Sequence, residues 1–552
     1  MNHHAAAVAA ARTTGLAVLL LVLGLARATE VLAQPDSPAE PDDCAVLAGL
    51  DLAEAAGAAV QLVGAMVPAG DSLPARCRVT GTIAPEVGIE VWLPAEAWNG
   101  RLLVSGCYGL CGSVRTESMA DAAARGYATA TTDGGHSEAK YPDSRWAHDN
   151  TALEDDFGHR AVHVTTQLAR ALVEAYYGEA AARAYFRGCS TGGRQALVAA
   201  ERYPDDFDGI IAGAPFHQEL SVPYMIWADR ANTDSDGKPL LGRPQFRLLA
   251  TAALAACDGD DGLADGVIGD PERCAVNPAA LACAEGATKG CLTPGQVTAA
   301  GRLYAGPGSS AGARSAPLGA APGSERSWER GLIGHDGAPM FRVIAQDWLR
   351  YHAFEPDPPA DAVPVFDFDR DPPRLAATAA RVGFAGQLAG FRAREGRLIL
   401  WHGWADETLQ PAHTLAYWRQ ALRDNDGAAG LGEFARLYLL PGVDHCGGGP
   451  GAGDVDWLAA LERWVEADEA PQMLVAMRTA GSVPLTVRQP RFPLAGELQR
   501  RRPLFPWPDL ARYSGAGDPL DPASWARVTP AEATAPPPSP SSPPSSSPSP
   551  SP

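Results

Sequence analysis

Residues 186–194 read FRGCSTGGR. Gly188, Cys189, Ser190, Thr191 and Gly192 make a G-x-S-x-G frame inside it. The stretch before the frame, ARAYFRGCS (182–190), reads as a strand running into a turn. The stretch after it, TGGRQALVAAERYP (191–204), reads as a helix ended by Pro204. A serine on a sharp strand-to-helix turn needs small neighbours, and Gly188, Gly192 and Gly193 supply them. The same serine elsewhere would be an ordinary helix N-cap; the strand in front of it favours a nucleophile. The helix start behind Ser190, beginning with the N–H of Thr191, offers donors to a developing oxyanion.

Outward from this point the chain alternates strands and helices. RLLVSG (101–106), YATATTD (127–133) and DGIIAGAP (208–215) read as strands, and FGHRAVHVTTQLARALVEAYYG (157–178) as a helix stopped by Gly178. This alternation predicts an α/β fold with a parallel sheet. From 216 to 395 the chain turns rich in Gly, Pro, Asp and Cys, without long apolar periods. The α/β pattern then returns. GRLILWHGWAD (396–406) is a strand and loop, PAHTLAYWRQALRD (411–424) a helix, FARLYLLPGVDHC (434–446) a strand and loop, and DWLAALERWVEA (456–467) a helix. We therefore expect a core in two halves, 34–215 and 396–515, with 216–395 inserted between them as a lid, and a Pro/Ser-rich disordered tail over 516–552.

The net charge of −20 argues against nucleic acid as a partner and against an anionic lipid surface. Arg12 precedes the apolar run GLAVLLLVLGLA (15–26), and small residues follow, with cleavage expected after Ala28 or Ala33. Residues 1–33 read as a signal peptide and the run is short for a spanning helix, so a secreted or periplasmic protein, free of the membrane after cleavage, is expected. Ten cysteines in an oxidising compartment suit five disulfides, although spacing alone leaves the pairing open.

A serine nucleophile needs a base, and the base an orienting acid. The chain order Ser, acid, His is that of α/β-hydrolases. Asp406 and His445 each lie in a loop just past a predicted strand, where α/β sheets bind ligands. Glu407 and Asp444 are rival acids, ranked lower because their backbone neighbours point them away from Asp406 and His445. None of His136, His148, His159, His163, His217, His335, His352, His402 and His413 follows Asp406 in a post-strand loop. Cys189 precedes the serine and Cys446 follows the histidine. A bridge between them would hold the two loops side by side, with Cα atoms about 5.5 Å apart; the alternative is that each pairs elsewhere.

GCSTGGRQAL…YPDDFDGIIAGAP, HGWADETLQP and DHC, together with TTDGGHS (131–137) and DDFGHRAVHV (155–164), resemble segments of the tannase and feruloyl esterase family. The resemblance covers about 44 to 515 and implies an α/β-hydrolase core with a large inserted lid domain. It implies Ser190, Asp406 and His445 as the triad and Cys189–Cys446 as a disulfide. The second oxyanion donor is expected in GCYGLCG (106–112), where Tyr108 stands at a position commonly glycine in the family, so Tyr108 and Gly109 both remain candidates beside Thr191. Cys107 and Cys111 either bridge and stiffen that loop or stay free. In CDGDDGLADGVIGDPERC (257–274) five aspartates crowd thirteen residues, a density that repels itself unless a hard cation is bound. It is not an EF-hand, since Gly269 stands where glutamate is needed. By resemblance it is a structural Ca²⁺ loop, with the side chains of Asp258, Asp261 and Asp265 and the carbonyls of Leu263 and Val267 as ligands. Cys257–Cys274 would close it, and Cys283–Cys291 and Cys44–Cys77 would complete the disulfides.

The sequence thus points to a serine esterase working through an acyl-enzyme, and the resemblance implies small esters of aromatic acids as its substrates. Alternatives are mono(hydroxyethyl) terephthalate-type esters, acyl transfer to an alcohol, and a non-catalytic calcium-stabilised binding protein. Oligomeric state is not legible. Phe341, Trp348, Tyr351 and Phe354 in MFRVIAQDWLRYHAF (340–354) form an aromatic stripe that would either face a bound ring or fill the lid core.

Overall fold

The computed structural model describes residues 43–530 apart from 71–72, 139–140, 288, 309–318, 335–337, 360 and 486–488. The predicted signal peptide, His335 and residues 531–552 lie outside the described residues. The main sheet has nine strands: β1 Val60–Val67, β2 Arg76–Ile83, β3 Val87–Pro94, β4 Arg101–Ser105, β5 Ala128–Thr132, β6 Arg183–Cys189, β7 Gly209–Gly213, β8 Arg397–Gly403 and β9 Ala435–Leu440. Their order is β1-β2-β3-β5-β4-β6-β7-β8-β9. From β5 to β9 every pairing is parallel.

The parallel part matches the alternation read from the sequence. Strands β5 and β7 are buried at every residue, as continuous apolar or small-residue runs in a doubly covered sheet should be. Successive side chains feed opposite layers. Phe186, Ile210, Leu398 and Leu400 join the helices Ala161–Tyr177 and Thr191–Arg202 in one apolar cluster. Tyr185, Ile211, Ile399 and Trp401 join the helix Trp457–Ala467 in another.

Two expectations need correction. The sheet is mixed, because β1, β2 and β3 pair antiparallel and β3 runs antiparallel to β5. Strand β1 alternates between half-buried and exposed residues, so it gives no continuous apolar run of the kind used to find the parallel strands. The fold also runs past 515: Trp525–Val528 is a strand paired antiparallel with Leu510–Tyr513. Trp525 anchors it, buried against Tyr513 at 5.5 Å between ring centroids and beneath the Arg502 guanidinium at 4.5 Å. One buried aromatic outweighs the Pro- and Gly-rich composition around it.

The inserted segment 216–395 has its own apolar cluster, built on the helices Gln218–Ala231, Arg243–Cys257, Pro294–Ala305 and Met340–Tyr351. It does not stand apart, and the described residues belong to one compact unit. No helix among the described residues is long and apolar enough to cross a membrane.

Candidate active site

Strand β6 ends at Cys189, and Ser190 turns directly into the helix Thr191–Arg202. The turn puts Ser190 at φ 64° and ψ −122°, a conformation that L-residues adopt only under constraint. The constraint is visible. The Ser190 N–H donates to the Gly213 carbonyl at 3.0 Å, and its carbonyl accepts from the Phe216 and Arg194 N–H groups, each at 3.0 Å. A Cβ on Gly188 would lie 2.3 Å from the Gly192 carbonyl oxygen, which is why the frame begins with glycine.

The two loops past β8 and β9 meet this turn. His445 Nε2 lies 3.0 Å from Ser190 Oγ, and His445 Nδ1 lies 2.7 Å from Asp406 Oδ2. Asp406 is fully buried, and its Oδ1 accepts from the N–H groups of Thr408 at 2.9 Å and Leu409 at 2.8 Å. Burial opposes the Asp406 charge. The neighbouring His445 and the hydrogen bonds from His402 and His445 outweigh burial and hold the carboxyl well below the usual range. Burial likewise opposes protonation of His445, but the Asp406 charge and hydrogen bond raise its pKa.

A support behind Asp406 was not legible in the sequence. His402 Nε2 is 3.0 Å from Asp406 Oδ2 and 2.9 Å from the Leu409 carbonyl. A carbonyl only accepts, so Nε2 carries the proton, and Nδ1 meets Thr414 Oγ1 at 2.8 Å. The four-residue spacing from His402 to Asp406 is a possible signal, but only the turn between them brings the rings and carboxylate together. The rival acids Glu407 and Asp444 make no hydrogen bond to His445 among the described residues; both instead line a cavity of about 990 Å³ with Ser190 and His445.

Tyr108 and Gly109 also line that cavity. Thr191 opens its helix, so its N–H has no intrahelical acceptor, and its Oγ1 hydrogen-bonds the Gly109 carbonyl. The loop is thus tied to the helix start, with Thr191 and the two loop candidates around Ser190. Tyr108 is held by its hydroxyl, which donates to the Leu485 carbonyl at 3.2 Å and accepts from Gln489 at 3.0 Å. The lid aromatics follow the lid-core alternative. Phe341, Trp348 and Phe354 are buried in the lid cluster, and from that helix Met340 and Ile344 line the cavity instead. Those three face the lid's own core, while Tyr351 is half-buried with its ring 5.8 Å from that of His148.

All ten cysteines pair: Cys44–Cys77, Cys107–Cys111, Cys189–Cys446, Cys257–Cys274 and Cys283–Cys291. The Cα atoms of Cys189 and Cys446 are 6.0 Å apart, so the bridge sits beside both Ser190 and His445.

In the acidic loop, Asp258 Oδ1 gathers the N–H groups of Asp265 at 3.1 Å, Gly266 at 3.0 Å and Val267 at 3.1 Å. The crowding of aspartates is relieved partly by protein. Arg502 reaches Asp261 at 2.5 Å and Arg500 pairs with Asp265. These arginines lie some 240 residues away in sequence, so spacing gave no sign of them. Asp265 Oδ1 remains buried without a hydrogen-bond partner. An all-oxygen donor set with one such oxygen fits a hard cation.

A run of parallel strands carrying a strained serine, a histidine and a buried aspartate at the ends of β6, β9 and β8 defines an α/β-hydrolase. Residues 72–339 and 380–528 match the family of tannase and feruloyl esterase. The mono(2-hydroxyethyl) terephthalate hydrolase of Piscinibacter sakaiensis is 35% identical over 533 residues, covering 83% of this chain and 86% of that one. A probable feruloyl esterase of Arthroderma benhamiae is 31% identical over 536 residues, covering 89% and 90%. Feruloyl esterase B from Aspergillus oryzae superposes with a TM-score of 0.73 at 26% identity, over 85% of this chain and 96% of that one. The protein belongs to the tannase and feruloyl esterase family and is a carboxylic ester hydrolase.

Proposed function

We propose that the protein is a secreted serine esterase that cleaves esters of aromatic acids through an acyl-enzyme. The observation that carries this is the hydrogen-bonded series Ser190–His445–Asp406 opening on the cavity. His445 takes the proton of Ser190 Oγ as the oxygen attacks the ester carbonyl. Asp406 fixes the imidazole tautomer and stabilises its positive charge. The N–H of Thr191, with that of Tyr108 or Gly109, receives the oxyanion. His445 then protonates the departing alcohol. Water, activated by the same imidazole, attacks the acyl-enzyme and releases the acid.

Hydroxycinnamoyl and galloyl esters are the first candidates, from the family's name. Mono(2-hydroxyethyl) terephthalate is the second, favoured by the 35% identical relative that hydrolyses it. Kinetics with methyl ferulate, methyl gallate and mono(2-hydroxyethyl) terephthalate, on the wild type and on Ser190→Ala, test the reading. We expect hydrolysis of at least one, lowered by about 10⁶-fold in the variant; hydrolysis that survives the substitution contradicts it. Residues 1–33 would direct export. Asp258, Asp261 and Asp265, with the carbonyls of Leu263 and Val267, would hold a calcium ion that braces the lid and takes no part in the chemistry.

A further inference from the structure

Two carboxyl groups beside the catalytic series have no part in the mechanism above. Glu407 is 6% exposed; its Oε1 accepts from Thr408 Oγ1 at 3.1 Å, and its Oε2 is buried with no hydrogen-bond partner. Asp444 Oδ2 accepts from Ser327 Oγ at 3.0 Å, and its Oδ1 is likewise buried and unpaired. Both side chains line the cavity that opens on Ser190. Burial raises the pKa of both, helped at Glu407 by the charge of Asp406 and at Asp444, which reaches about 7, by the charge of Glu407.

An unpaired buried carboxyl oxygen is costly, and folded proteins keep few of them. Two on one wall of a substrate cavity are explained if the bound molecule completes them. The chemistry of the wall narrows what that molecule presents. A carboxylate would be repelled by Glu407 and Asp444. The aromatic-acid esters proposed above carry no cationic group, and the wall mixes Arg115 and Arg330 with Glu138 and Glu329. A neutral donor satisfies both sides.

We propose that Glu407, backed by Asp444, is a specificity-determining residue whose unpaired oxygen accepts a hydrogen bond from a hydroxyl group of the bound ester. The proposal rests on the ester-hydrolase reading of this cavity. The hydroxyl could be a phenol on the acyl group or a hydroxyl on the alcohol part, and substrate pairs separate these sources. Methyl ferulate against methyl 3-methoxycinnamate removes the phenol alone. 2-Hydroxyethyl cinnamate against ethyl cinnamate removes the alcohol-side hydroxyl alone.

The wild type should favour the hydroxyl-bearing member of one pair in kcat/KM by on the order of tenfold or more. Glu407→Leu should bring that ratio close to one. Glu407→Gln, which keeps the volume, should give an intermediate ratio, and it carries the test if the leucine variant melts early. A wild type that hydrolyses both pairs without discrimination overturns the proposal. So do variants that lower kcat/KM equally for both members, since Glu407 would then act through Asp406 and His445. A wild type that cleaves none of the four esters contradicts the hydroxycinnamoyl reading of the substrate, a result distinct from either.

Discussion

Ser190 is held in a conformation that costs about 1–3 kcal/mol, and the glycines around it are what let the backbone close there. That much is legible in the sequence, because a G-x-S-x-G frame between a strand and a helix has few other uses. Asp406 and His445 are legible for a similar reason, since each falls just past an apolar run. The hydrogen bond from His402 to Asp406 is not legible, nor is the cavity-facing position of Glu407 and Asp444, because the direction of a loop side chain depends on tertiary turns. At this scale the account predicts that Asp406→Asn lowers turnover by on the order of 10⁴-fold with the fold intact. The pH profile gives a second reading. Neutral His445 is the working base, so kcat/KM rises with pH through its pKa. Asp406 raises that pKa, so the rise should be centred above the ordinary imidazole value of about 6.5. Removing the carboxylate charge should move it to lower pH. An unchanged midpoint in Asp406→Asn would show that another group sets the limb.

Between elements, the Cys189–Cys446 bridge joins the end of β6 to the loop after β9, across a sequence separation of 257. Loop-closure entropy assigns such a bridge about 5 kcal/mol, an upper figure here because four other bridges already restrict the unfolded chain. Catalysis is more sensitive, since a misplacement of about 1 Å can cost on the order of 10²-fold. Alanine at both positions should therefore lower kcat more than it lowers the melting temperature; a normal rate with a depressed Tm would make the bridge a stability device only. The adjacency of each cysteine to a site residue made this pairing readable. The antiparallel β1 and β2 and the strand Trp525–Val528 were not, because half-exposed strands lack the continuous apolar run that marks a parallel strand. Trp525→Ala should cost about 3 kcal/mol by equilibrium unfolding. A loss below ~1 kcal/mol would return the boundary of the fold to 515.

Across the whole molecule, one sheet collects Ser190, Asp406 and His445 from positions up to 255 residues apart, and the segment 216–395 supplies Met340, Ile344 and Ser327 to the cavity wall. The acidic loop in that segment is tied by Arg500 and Arg502 to the C-terminal part of the chain. If it also holds calcium, chelation should lower Tm while activity measured in the cold changes little. A metal-free protein with an unmoved melting curve would leave arginines, Arg500 and Arg502 with Arg273 at Asp270, to balance the loop's charge. The central claim is chemical: Ser190 carries the acyl group. Rapid acid quench during turnover of methyl ferulate, followed by peptide mass spectrometry, tests it most directly. The account predicts a feruloyl adduct on the peptide containing Ser190, absent in Ser190→Ala. Steady hydrolysis with no adduct under conditions that slow deacylation, or an adduct on another residue, would contradict it.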